Sequence, residues 1–207
     1  MNTAMFGSFL VGVLVMQVIP GPGMLFLLAN GVAGGARAGV AVACGTAAGM
    51  LVHTTLTALG LAALLKAVPE ALALIKVIGG LYLLWRALQA FRARQQSVAI
   101  EPAGQGRRFW SLFGRGALNN LANPKIVVFY VVFLPQFVDP AVGNVTRQLF
   151  VLGGTMLFVG LVVDLQIGLL AGRLRGVLLR SRIFRQMLNK ISGTIYGALA
   201  ARLITAH

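Results

Sequence analysis

QVIPGPGM, from Gln17 to Met24, and NNLANPK, from Asn119 to Lys125, decide how this chain is read. Each interrupts a long apolar stretch in which an unbroken helix would be the cheapest solution. Pro20 and Pro22 lack N–H donors, and Gly21 and Gly23 tolerate positive φ, so a helix must open there. Pro124 opens the second stretch for the same reason. Backbone that leaves helical geometry at membrane depth must line a cavity or be covered by protein, because lipid supplies no hydrogen bonds. Matched breaks in two halves of a chain point to the substrate site of a transporter.

Composition supports a membrane setting. Of 207 residues, 58% are hydrophobic and 11% charged, against roughly 25% charged in a soluble domain. The net charge is +14. In a soluble protein that excess would suggest nucleic acid, but here the basic residues fall mostly between apolar segments. They therefore read as topology signals facing anionic lipid, with no nucleic-acid partner. A single cysteine, Cys44, leaves no internal disulfide and no redox pair. The opening MNTAMFGSF carries no basic residue, so the first apolar run is expected to be a retained span rather than a cleaved leader.

A span needs about 20 apolar residues, and six are expected. They run from about Ala4 to Leu28, Gly39 to Leu65, Glu70 to Ala90, Gly116 to Phe137, Arg147 to Ala171 and Leu188 to Ile204. The connector after span three carries Arg92, Arg94, Arg107, Arg108 and Arg115, and the one after span five carries Arg173, Arg175, Arg180, Arg182 and Arg185. The Lys/Arg excess marks cytoplasmic loops. Both termini are then expected to face the outside of the membrane. The fold expected is an all-α integral membrane protein of six transmembrane helices. They form a 3+3 inverted repeat with interrupted first and fourth helices. Its parts are a first three-helix repeat (1–91), a basic cytoplasmic linker (92–115) and a second three-helix repeat (116–207). Glycines 39, 45 and 49 in span two provide faces for close helix approach in lipid and make a homodimer feasible.

Four polar or helix-breaking residues fall in a narrow band of depth at a rise of about 1.5 Å per residue. Pro20, His53 and Lys125 sit near the middle of their spans, and Asp164 lies about 10 Å from the cytoplasmic end of its own. Asp164 interrupts LFVGLVVDLQIGLL. A carboxylate there costs at least about 2.5 kcal/mol, so it is expected to face the bundle interior and serve function. A structural ion pair with Lys125 is the plain alternative. Lys125 could neutralise Asp164 or hold a substrate carboxylate. His53 could relay protons near neutral pH or simply donate a hydrogen bond to a neighbouring helix. The half-helix after PGPG presents unpaired N–H groups to an anion. Asn119, Asn120 and Asn123 can bond the backbone freed by Pro124, or a substrate.

With these residues in view, the chain resembles the LysE-type amino-acid exporters, a family that includes lysine exporters and homoserine/threonine efflux proteins. The resemblance rests on PGPG followed by ANGVAGGARAG, and on NLANPKIVVFYVVFLPQFV from Asn120 to Val138, which is similar to the family's N-x-x-N-P-K and P-Q-F motifs. Weaker similarities are GMLVH around His53, GGLYLLW from Gly79, the VVD ending at Asp164, and LNKISG from Leu188. Arg86-Ala87 departs from the small-residue pair common after Trp85. The resemblance implies export of an amino acid or related metabolite across the inner membrane. It implies the proton motive force as driving force and no bound cofactor. The functional positions it implies are Pro20, Gly21, Pro22, Asn123, Pro124, Lys125 and Asp164. Gly23, His53 and Asn120 join them from the chain's own chemistry.

The mechanism expected is alternating access around a midplane cavity. The half-helix after PGPG and Lys125 would hold the substrate carboxylate, and Asp164 would bind its ammonium or a proton. Metal-ion efflux is the rival transport reading, weakened by the shortage of Cys, His and carboxylate ligands. An intramembrane enzyme would need an acid–base pair that so few acidic residues hardly supply. A pure scaffold would not need broken helices with buried polar groups.

Overall fold

A computed structural model describes residues 3–68 and 109–171, together with Val77, Leu81 and Trp85. Among the described residues the chain is all-helical. Most of the expected third span, the sixth span, residues 92–108 of the linker and the arginines at 173–185 lie outside the described residues.

The first helix, α1, covers Thr3–Val18 and stops where the prolines begin. The chain is non-helical from Ile19 to Gly21, and α2 runs from Pro22 to Leu56. The stretch after PGPG does not end in an open connector as the sequence suggested. It is helical through Arg37 except at Gly35, where φ is 73° and ψ −172°. That left-handed geometry is one L side chains rarely adopt, so glycine allows the chain to break helix over a single residue. Both flanks of this break lie against one point of the last described helix. A Cβ built at Gly31 would lie 3.2 Å from the Gly168 carbonyl oxygen, and one at Gly39 would lie 2.6 Å from it. Beyond α2 the chain continues through a wide helical turn, Thr57–Leu61, into α3, Ala62–Ala67.

The second half opens with α4, Phe109–Leu121, so Phe109 to Arg115 of the expected linker are already helical. After the break comes α5, Pro124–Val128, which passes into a wide turn at Phe129–Phe133 and a tight one at Leu134–Phe137. The two limbs, Phe109–Leu121 and Pro124–Phe137, bend by 52° at the break. A polar loop then leads to α6, Val145–Ala171. Gln148 pins that loop, donating to the carbonyls of Asp139 and Gly143 and accepting from the Asp139 N–H. Asn144 starts α6 by accepting from the Arg147 N–H.

Two described helices, Pro22–Leu61 and Val145–Ala171, are long and apolar enough to cross a membrane, and three are if the bent pair counts as one. Phe158 and Leu118 are each 67% exposed. Large apolar side chains left bare along such helices suit a lipid surface rather than water.

Among the described residues the buried core forms two apolar clusters. One joins Phe9, Val13 and Met16 of α1 to Met50, Tyr130, Phe133 and Met156. The other joins Leu27, Ala41, Val42 and Leu112, with Leu165 packed against it. Residues 44–49 of α2 and 160–164 of α6 separate the clusters along the chain. Small residues let the helices close there: a Cβ at Gly45 would collide with the Phe113 carbonyl, and one at Gly116 would lie 2.6 Å from that of Val42.

Candidate functional site

The two breaks meet. The Lys125 ammonium donates to the carbonyl oxygens of Met16 and Ile19, each at 2.9 Å. The reason is written in the backbone of α1. The Met16 carbonyl would ordinarily accept from the N–H four residues on, but that residue is Pro20, which has none. Ile19 lies just beyond the last turn of α1, among the carbonyls a helix end leaves unpaired. Lys125, buried with 9% of its surface exposed, brings donors to both. Its stem also lies over the PGPG turn, since a Cβ at Gly21 would be 3.5 Å from the lysine Cδ.

The second break supplies its own cap. Asn123 is extended (φ −79°, ψ 109°), and its side-chain oxygen accepts from the Lys125 N–H at 3.1 Å. Its carbonyl accepts from the Ile126 and Val127 N–H groups. Pro124, at the first helical position, needs no donor there. The asparagines also reach the first break. A Cβ at Gly23 would stand 3.2 Å from Asn123 Nδ2 and 3.6 Å from Asn119 Oδ1.

His53 and Asn120 join the same layer from α2 and α4. The His53 ring stacks on Tyr130 with centroids 5.4 Å apart. The Tyr130 hydroxyl, in the wide turn after α5, shares a 3.0 Å hydrogen bond with the Thr54 hydroxyl. Asn120 packs on Gly49, where a Cβ would come within 2.8 Å of its Oδ1. Asp164 is half-buried on α6 and lies in the field of the Lys125 ammonium.

Three polar atoms in this layer are buried without a hydrogen-bond partner among the described residues: Gln17 Nε2, His53 Nε2 and Asn120 Oδ1. Leaving such an atom unmade costs about 1–3 kcal/mol. Among the described residues no three His, Cys, Asp or Glu side chains converge on a point that could hold a metal ion.

The structure thus brings Pro20, Gly21, Gly23, Asn123, Pro124 and Lys125 into one locality, with His53, Asn120 and Asp164 on the helices around it. Sequence reasoning missed Gln17, the Met16 and Ile19 carbonyls and the Thr54–Tyr130 pair. The Met16 carbonyl carried a readable signal, because a proline four residues downstream always strips a helical carbonyl of its donor. The Thr54–Tyr130 pair, 76 residues apart, carried none.

A membrane protein whose described residues are all helical, with two facing backbone breaks and polar groups between them, has the architecture of a secondary transporter. The chain belongs to the LysE type translocator family, whose profile matches residues 14–207, and members of that family are transporters, not enzymes. It is 31% identical over 199 residues to an uncharacterized membrane protein of Vibrio cholerae, covering 96% of each chain. It is 28% identical over 200 residues to a leucine efflux protein of Salmonella choleraesuis, covering 97% of this chain and 94% of the relative. A leucine efflux protein of Enterobacter sp. is 27% identical over 205 residues, with 98% and 96% covered. No solved structure matches the chain.

Proposed function

We propose that this protein exports amino acids, with leucine or a similar apolar amino acid as substrate, through the layer where its two backbone breaks meet. The observation that carries the reading is the Lys125 ammonium on the Met16 and Ile19 carbonyls. It ties two opened backbones, 106 and 109 residues apart in sequence, into one polar locality inside an apolar bundle. Leucine efflux proteins related over nearly the whole chain favour this substrate class.

The residues proposed to form the transport site are Pro20, Gly21, Pro22, Gly23, His53, Asn120, Asn123, Pro124, Lys125 and Asp164. Pro20 and Pro22 keep the first helix open. Lys125 holds the opened end against the second break. Asp164 takes a proton from the periplasmic side as substrate leaves and surrenders it to the cytoplasm, so that inward proton flow drives export. The six spans are proposed to form two inverted groups of three, with both termini periplasmic, in a bacterial inner membrane. The arginine-rich connectors support that orientation. A homodimer is proposed to use faces other than that of Gly39, Gly45 and Gly49, which pack against Gly168, Phe113 and Asn120 of the same chain.

The test is transport in proteoliposomes holding the purified full chain. Wild-type protein should accumulate leucine when driven by an imposed pH gradient, acid inside, and also exchange labelled for unlabelled leucine without one. Asp164→Asn should lose the gradient-driven mode and keep exchange. Gradient-driven transport at the wild-type rate in a folded Asp164→Asn protein would remove Asp164 from the coupling step.

A further inference from the structure

Gln17, His53 and Asn120 are three neutral side chains from three helices, and each carries a buried polar atom without a partner among the described residues. Asn120 is only 3% exposed. A packing core satisfies such atoms, so three in one layer mark a place where something polar binds.

Helix geometry relates them. A Cβ at Gly49 would lie 2.8 Å from Asn120 Oδ1. A Cβ at Gly160 would collide with Gln17 Nε2 and lie 3.1 Å from the Met50 sulfur. Gly49 therefore marks the Asn120 side of α2, and Met50 the Gln17 side. At about 100° per residue, His53 projects from between them, about 40° round the helix from Gly49 and about 60° from Met50. It stands close to one turn along the axis from both. The three side chains thus face one arc of α2, with Asn120 in the last turn of α4 and Gln17 in the last turn of α1.

We infer that Gln17, His53 and Asn120 form a neutral subsite for the zwitterionic head group of an α-amino acid. The donor–acceptor chemistry fits: an amide N–H donates to a carboxylate, and an amide oxygen accepts from an ammonium. An imidazole nitrogen serves as donor or acceptor by tautomer. A dipolar ligand matched by such a set brings no net charge into the bundle. Lys125 is already engaged on two carbonyls, so the head group meets its partners elsewhere. Asp164, one turn beyond Gly160 on α6, is then left to carry the proton.

The inference rests on the amino-acid exporter reading, and the experiment separates the two. Leucine binding to the purified full chain is measured beside thermal unfolding in detergent, for wild type and for Gln17→Leu, His53→Leu and Asn120→Leu. Wild type should bind leucine at least ten-fold more tightly than 2-hydroxy-4-methylpentanoate, which lacks the ammonium, or 3-methylbutylamine, which lacks the carboxylate. Each variant should weaken leucine binding about ten-fold or more while its melting temperature holds or rises, because an unmade buried polar atom has been removed. Gln17→Met and His53→Gln are second variants for any leucine variant that fails to assemble. Wild-type affinity in the variants, or a lowered melting temperature with unchanged affinity, overturns the subsite and leaves the exporter standing. A wild-type protein that binds no amino acid overturns both.

Discussion

The two backbone breaks answer one problem in opposite ways. At Pro20–Pro22 the Met16 and Ile19 carbonyls take their donors from Lys125, more than a hundred residues away. At Asn119–Pro124 the cap is local: Asn123 satisfies the new helix start with its own side chain and carbonyl. A break that needs a distant partner can be made or unmade by a change in tertiary contact, whereas one that caps itself persists in any arrangement. The first break therefore depends on the packing that brings Lys125 to it, whereas the second, which carries the lysine, does not.

The largest expected effect in this contrast comes from Lys125→Met. Two buried carbonyls would lose charge-assisted donors, which should lower stability by on the order of 3 kcal/mol in denaturant unfolding of the detergent-solubilised protein. Stability equal to wild type would show that the first break is as self-sufficient as the second. A smaller effect sharpens the cause. Pro20→Ala restores an N–H four residues from Met16, so the double variant Pro20→Ala/Lys125→Met should recover about 1 kcal/mol relative to additivity. Strict additivity would mean that the lysine is not standing in for the missing proline donor. The smallest change concerns the second break. Asn123→Ala should cost about 1 kcal/mol, the usual effect of losing a helix N-cap, and the loss should be the same in wild-type and Lys125→Met backgrounds. A loss that differs between the two would show the breaks to be one cooperative unit.

Much of this was legible in the chain because proline and glycine act locally. Prolines at 20, 22 and 124 remove backbone donors wherever they stand, so both interruptions could be placed to within a residue or two. Asp164 announced itself by its apolar neighbours. Other features resisted for equally physical reasons. The stretch ANGVAGGARAG suits a small-residue helix as well as a connector, so nothing in it singled out Gly35 as the break. Gln17 opens QVIPGPGM but carries no local signal, because an amide near a helix end is ordinarily satisfied by water or backbone. Its unmade state emerges only when Gly160 is laid against it.

The sequence by itself determined that helices cross an apolar medium and that two of them must open, since donor loss at proline and the cost of charge in lipid need no partner to operate. Tertiary structure alone decided that the openings face one another and that Lys125 serves the Met16 and Ile19 carbonyls. It alone decided that Gln17, His53 and Asn120 share one layer. A hydrogen bond depends on two positions at once, and when those positions are a hundred residues apart only the packed chain brings them to 2.9 Å.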